Sequence, residues 1–231
     1  MPDWETLKII IAIVFILCWF LGIIISTIWM NRDLWRERYH PMFKFLKAVK
    51  KGNITFVRDQ LDEKIVRINE AGEHGDTALH VAARNGQMEM FHFLTANGAS
   101  IKARNKYDET PLHSAVEEGN FEIAKLLVEA GADINARDDD KASIINYAAM
   151  YGFTEVLRYL LEIGADATVK DANGLAPIHY AAQLGNAEMC RLLLDAGIDP
   201  KTPGDEGQTP EQIAIINKHF AVAKLFGDVQ K

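Results

Sequence analysis

The sequence predicts an all-α solenoid of stacked helix-turn-helix units, preceded by one transmembrane helix. Three observations lead there. Thr77, Thr110, Ser143, Ala176 and Thr209 follow one another at a spacing of 33 residues, each opening a similar ten-residue stretch. A second apolar block recurs behind each of them. Ahead of all this, residues 9–30 form a run of 22 positions without a formal charge. A fixed period of this size is the mark of a repeat architecture, in which each copy buries its apolar face only against its neighbours.

Taken in order, the chain begins with a short tail, residues 1–8. The apolar run that follows, "IIIAIVFILCWFLGIIISTIWM", spans 9–30. At about 1.5 Å per residue, a helix of this length matches the hydrocarbon core of a bilayer. Trp4, Trp29 and Trp35 lie near its ends, where indole rings favour the interface. A cleaved signal peptide fits less well, because the run is long, "MPDWETLK" is barely basic and no small-residue cleavage site follows. Residues 31–41 form a basic juxtamembrane segment. Residues 32–51 carry seven Lys or Arg against two acids, so the positive-inside rule expects the N-terminus outside and the rest in the cytoplasm. Cys18 in the run and Cys190 far downstream offer no disulfide, as expected in a reducing compartment. The "NIT" triplet at Asn53 would matter only on the lumenal side.

Residues 42–231 make up the repeat domain. It divides into a divergent N-terminal unit (42–73), four full repeats (74–106, 107–139, 140–172, 173–205) and a C-terminal capping unit (206–231). In "ETPLHSAVEEGN", Thr110 is placed to cap a helix with its hydroxyl and Pro111 suits the first helical position. Leu112, Ala115 and Val116 point inward, and Gly119 ends the helix. A second helix, "FEIAKLLVEA", aligns Ile123, Leu126 and Leu127 on one stripe, and Gly131 stops it. The middle copy, "SIINYAAMYG", has lost Pro and His, yet Ser143 can cap and Asn146 can supply part of the missing hydrogen bonding. The terminal units are expected to be more polar on their outer sides, with Phe45, Leu46 and Val49 in the core of the first.

"TALHVAARNG", "TPLHSAVEEG", "SIINYAAMYG", "APIHYAAQLG" and "TPEQIAIINK", with "FLTANGASIKA", "LLVEAGADINA", "LLEIGADATVK" and "LLDAGIDPKT" between them, resemble the ankyrin-repeat family. The resemblance is closest over 74–205 and weaker in the two terminal units. It implies that ligands meet a concave surface made of turn tips and first helices, and that function is protein binding. Carried over position by position, the exposed letters form an acidic zone of Glu109, Glu117, Glu118, Asp138, Asp139 and Asp140. Beside it stands an apolar group of Tyr107, Met150, Tyr151, Leu175 and Leu184, with Gln183 among them. Aromatics next to charge of one sign suit a hot spot with an electrostatic rim, so the expected protein partner offers basic residues around an apolar anchor. Met150 and Tyr151 also admit a plainer reading, as packing between neighbouring helices.

Other functions find less in the letters. Residues 52–231 carry 17 basic and 28 acidic side chains, which disfavours nucleic acid. His80, His113 and His179 recur at repeat spacing and read as structural. The "DDD" run lacks the spacing and bidentate Glu of a calcium loop. No catalytic constellation, phosphate loop or metal set stands outside the repeat positions, so neither an enzyme nor a cofactor is expected. The leading expectation is a membrane-tethered adaptor or scaffold that meets a membrane-associated partner. The alternatives are an accessory subunit of a transporter, channel or secretion machine, with Cys18, Gly22, Ser26 and Thr27 on the contact side of the span, or an inhibitor of an enzyme or toxin. The letters leave the oligomeric state open.

Overall fold

The computed structural model describes residues 40–204 and 207–228. The expected membrane helix at 9–30, the tail before it and the juxtamembrane residues up to 39 lie outside the described residues. Among those described, no helix is long and apolar enough to cross a membrane. Two compact units divide at Lys44, and the larger runs from Phe45 to Lys231.

Twelve helices are present among the described residues, and no strand. They come in pairs: α1 (Pro41–Lys50) and α2 (Ile54–Asp62), α3 (Ala78–Arg84) and α4 (Met88–Ala96), α5 (Pro111–Glu117) and α6 (Phe121–Glu129). Then follow α7 (Ile144–Met150) and α8 (Thr154–Glu162), α9 (Pro177–Leu184) and α10 (Ala187–Asp195), α11 (Pro210–Ile216) and α12 (Phe220–Asp228). Helices of two or three turns are marginal alone in water, so packing must hold them. First helices stack on first helices, α3 on α5, α7 on α9 and α9 on α11, while α8, α10 and α12 stack behind them. The stacked faces carry small residues: Ala82, Ala83, Ala115, Ala148, Ala149, Ala181 and Ala182 are all fully buried. Leu112, Val116, Ile123 and Leu127 are buried as expected, whereas Leu126 is half-exposed and Ala124 takes its place in the core. Leu46 is likewise only half-buried beside fully buried Phe45 and Val49. Gly119 and Gly131 end their helices at φ +70° and +89°, a region that costs other residues free energy.

The start of each first helix from α3 to α11 follows one chemical plan. Its third helical residue accepts the backbone N–H of the N-cap. His80 Nδ1 takes Thr77 N–H at 3.2 Å, His113 Nδ1 takes Thr110 N–H at 3.0 Å, and His179 Nδ1 takes Ala176 N–H at 3.0 Å. The Thr110 hydroxyl also lies 3.0 Å from His113 Nδ1, so it turns to the ring and not to the backbone. Asn146 Oδ1 does the same for Ser143 N–H at 3.2 Å and Ser143 Oγ–H at 2.6 Å, and Gln212 Oε1 for Thr209 N–H at 2.9 Å. An Nδ1 that accepts leaves the proton on Nε2. That proton reaches the following unit from His80, whose Nε2 bonds Glu109 O at 3.1 Å, and stays within the unit for His179, whose Nε2 bonds Thr202 O at 2.9 Å. Asn146 Nδ2 donates, as His80 does, to the following unit, at Leu175 O and 3.1 Å. The middle unit thus keeps the whole plan with a shorter side chain. His113 Nε2 alone forms no full hydrogen bond, its electrostatic help coming from the Ala142 carbonyl.

A second row of side chains clasps the unit in front. Gln87 Nε2 donates to Lys50 O at 3.1 Å, Asn120 Nδ2 to Ala83 O and Arg84 O at 2.8 and 2.9 Å, and His219 Nε2 contacts Gln183 O at 3.1 Å. In the middle unit this position is Phe153, whose ring lies over Gly119 so closely that a Cβ there would stand 2.5 Å from it.

The outer side of the last unit departs from expectation. Ile215, Ile216 and Phe220 are 49%, 62% and 66% exposed, so this end of the stack is apolar and not polar.

Burial lowers the pKa of His80, His113 and His179, that of His113 to about 4. The folded rings stay neutral while the unfolded chain takes up protons below about 6.5. Their contribution is therefore complete above that pH and is lost as the pH falls toward 4, about 3 kcal/mol for His113. Urea midpoints at pH 7.5 and pH 5 should show the loss. His113→Gln, which copies the Thr209–Gln212 pair, should reduce it; an unchanged pH dependence would remove His113 as its source.

Candidate protein-binding face

The turn tips are built around one acceptor per turn. Asn105 Oδ1 accepts from Tyr107 N–H and Glu109 N–H at 2.9 and 3.0 Å. Asp138 Oδ1 accepts from Ala142 N–H at 2.7 Å, and Asp171 Oδ1 from Asn173 N–H and Leu175 N–H, both at 2.9 Å. Backbone bonds join tip to tip: Lys106 N–H to His74 O at 3.1 Å, Asp139 N–H to Tyr107 O at 3.0 Å and Ala172 N–H to Asp140 O at 2.7 Å. The tips form a continuous ledge beside the first helices. Asp108 and Lys141 hold the left-handed conformation that Gly75 and Gly174 hold in the neighbouring turns, at φ 61° and 60°.

Below the ledge, three acids surround one arginine. Arg84 Nη1 meets Asp76 Oδ2 at 2.5 Å, its Nε meets Glu117 Oε2 at 3.2 Å and its Nη2 lies 3.7 Å from Glu109 Oε2. Asn105 Nδ2 links Asp76 Oδ1 at 2.9 Å to Glu109 Oε2 at 2.6 Å. Burial would raise the Asp76 pKa, but Asn105 and Arg84 overcome it and hold the carboxyl low. Glu117 goes the other way: burial, with help from Glu109 and Glu118, outweighs Arg84 and pushes it up. The network runs on to Tyr147, whose hydroxyl lies 2.9 Å from Glu109 Oε1 and 2.8 Å from Asp138 Oδ2. Burial raises the Asp138 pKa, and the charges of Asp140 and Asp139 add to it. One unit further, Tyr180 donates to Asp171 in the same arrangement.

The predicted residues therefore fall into three groups. Glu109 and Glu117 are largely engaged by Arg84, Asn105 and Tyr147. Glu118, Asp139 and Asp140 are exposed and form no ion pair with a described residue. The apolar group is real but graded. Tyr107, Tyr151 and Leu184 are about half exposed, and Met150 and Leu175 are half-buried. Tyr151 leans on Tyr147 and Phe153, with ring centres 5.9 and 6.4 Å apart, so both readings of it hold: one side packs and the other faces outward. Leu175 and Gln183 line a cleft of about 420 Å³ with Asn173, Gly204, Gln208, Ile213, Ile216 and Asn217. No described lining residue carries a charge. Tyr147 and the C-terminal half of this cleft are missing from the predicted set. The first signal for Tyr147 is its register with Ser114 and Tyr180, at a position where a hydroxyl recurs.

No group of His, Cys, Asp and Glu among the described residues is arranged to hold a metal ion. Cys190 is buried in α10, its thiol pushed up to about 12 by burial, which suits packing and not nucleophilic attack. The arrangement offers a rigid ledge, an acidic rim and an apolar floor, which are means of binding.

Tyr147→Phe removes the hydroxyl that two carboxylates share and should cost about 1–3 kcal/mol. Thermal unfolding would register it; an unchanged melting temperature would show that water serves both acids as well. Comparison with curated proteins finds no match. The family model of ankyrin repeats (3 copies) matches residues 45–138 and 144–229. With that match over most of its length, and with five stacked helix starts built on one plan, the chain belongs to the ankyrin-repeat family, whose units serve as protein–protein interaction modules.

Proposed function

We propose that the chain is a membrane-tethered adaptor. Residues 9–30 anchor it, the repeat domain lies in the cytoplasm, and the ledge-and-helix face receives a membrane-associated protein. The observation that carries the binding surface is the meeting of exposed Tyr151 and Leu184 with the unpaired acids Glu118, Asp139 and Asp140 on adjoining units. Half-exposed apolar side chains on a rigid stack cost little entropy to bury, and acids at the rim select a basic partner and speed its approach. Anchoring near the bilayer raises the local concentration of any partner held in the same membrane.

Co-purification from native membranes tests this reading. Intact protein should recover a partner that is lost with Tyr151→Ala/Leu184→Ser, both at exposed positions where the fold survives. Elution should also come earlier as salt rises, because exposed charges are screened. A partner that stays bound to the variant would move the site to another face.

A further inference from the structure

The side chains of Glu109, Tyr147 and Asp138 meet where α5 and α7 join. Glu109 Oε1 lies 2.9 Å from the Tyr147 hydroxyl oxygen, and Asp138 Oδ2 lies 2.8 Å from the same atom. A phenol carries one proton and an ionised carboxylate none, so both contacts cannot be hydrogen bonds while both acids are ionised. Two protons complete the set: the tyrosine donates to one acid, and the other acid, protonated, donates to the tyrosine. The surroundings decide which acid is which. Glu109 Oε2 accepts from Asn105 Nδ2 at 2.6 Å and lies 3.7 Å from Arg84 Nη2, and both favour its ionised form. Asp138 is followed directly by Asp139 and Asp140, whose charges disfavour its ionised form. Its Oδ1 takes the Ala142 N–H at 2.7 Å, which leaves Oδ2 to carry a proton toward the tyrosine. A hydroxyl that donated to Asp138 would hold its carboxyl down; with its proton turned to Glu109, it offers Asp138 an acceptor.

The joint between α5 and α7 leans on this contact, because it lacks two links that the joint before it has. There Asn120 clasps Ala83 O and Arg84 O, and His80 reaches Glu109 O. Here Phe153 replaces the clasp and His113 Nε2 forms no full hydrogen bond. Other titratable or charged groups face the three side chains from each neighbouring helix. Arg84 on α3 and Glu117 on α5 pair with each other, and the His113 ring stands 5.1 Å from that of Tyr147. Tyr151 on α7 feels the charge of Glu109, and Tyr180 on α9 that of Asp138. We propose that Asp138 is a proton switch on this joint: protonated, it completes the bonds to Tyr147 and Glu109 and holds the tip at 138–142, and ionised, it leaves one contact without a proton and loosens that tip. Exposed Asp139 and Asp140 ride on the same tip, so pH reaches the candidate binding face through its position as well as its charge. The sign opposes that of the buried histidines. Burial raises the Asp138 pKa, so its contribution is complete below the ordinary aspartate value of 3.8 and is lost as the pH rises through its own higher value. The switch does not depend on the adaptor reading.

Carboxyl NMR signals of the full chain in detergent micelles, labelled at aspartate, test it through a pH titration. The Asp138 signal, identified by its loss in Asp138→Asn, should have a midpoint above 3.8. Tyr147→Phe should move that midpoint down, because the neutral acid loses its acceptor. A midpoint at or below 3.8 in the native chain overturns the proposal. So does a midpoint that stays or rises in Tyr147→Phe, since the hydroxyl then does not accept from a protonated Asp138. Stability gives a second measurement. Asp138→Asn has the shape of the neutral acid, and its urea midpoint should exceed that of the native chain at pH 7.5 by a margin that narrows at pH 5. A variant no more stable than the native chain at pH 7.5, or one that fails to fold, overturns the proposal as well.

Discussion

The stack depends on one side chain in each of five units, the third residue of the first helix from α3 onward. It accepts the N–H that opens its own helix and, in two units, donates to a carbonyl of the unit behind. A seven-residue helix cannot hold its ends by propensity, so the cap and the joint between units are made by the same group. The role asks for an acceptor at one reach and a donor at the other, not for an imidazole. His80, His113, His179, Asn146 and Gln212 all satisfy at least the first demand. That is why the middle copy, with letters that drift furthest from its neighbours, sits in the stack like the others.

The same register explains how the candidate binding face changes along its length. The position just before the N-cap reads Asp76, Glu109, Ala142, Leu175 and Gln208 in successive units. Near α3 and α5 the face is ionic, with acids held in place by Arg84. By α9 and α11 it is amide and aliphatic. The middle unit lies at the crossover, with exposed acids on its tip and half-exposed Met150 and Tyr151 on its helix. A repeat architecture lets charge and apolarity be graded by one substitution per unit, because the backbone beneath stays the same.

The periodic part of this was legible in the letters. Helix pairs, inward alanines, the turn glycines and the structural use of histidine all follow from spacing. What was not legible depends on reach across units. Nothing in the string ties Arg84 to Glu117 or Tyr147 to Glu109, because such pairs are set by rotamers and by how neighbouring turns lie. Glu109 therefore reads as an exposed acid although its side chain is only 14% exposed. The apolar outer end was misread for a related reason: Lys218 and Lys224 dominate that segment as letters, while Ile215 and Phe220 hold the positions that face outward along the stack. Residues 9–30 remain an expectation from length and apolarity.

Phe153 gives the stack one dry joint. Gln87, Asn120 and His219 clasp the preceding unit through a directional bond to a carbonyl, whereas Phe153 only rests against Gly119. The two kinds of joint answer temperature differently. Apolar contact draws its strength from water and weakens on cooling, while a hydrogen-bonded clasp does not share that decline. In the cold, the seam between α5 and α7 loses grip relative to the clasped ones, and the two halves of the domain gain freedom to twist beside the residues of the candidate binding face.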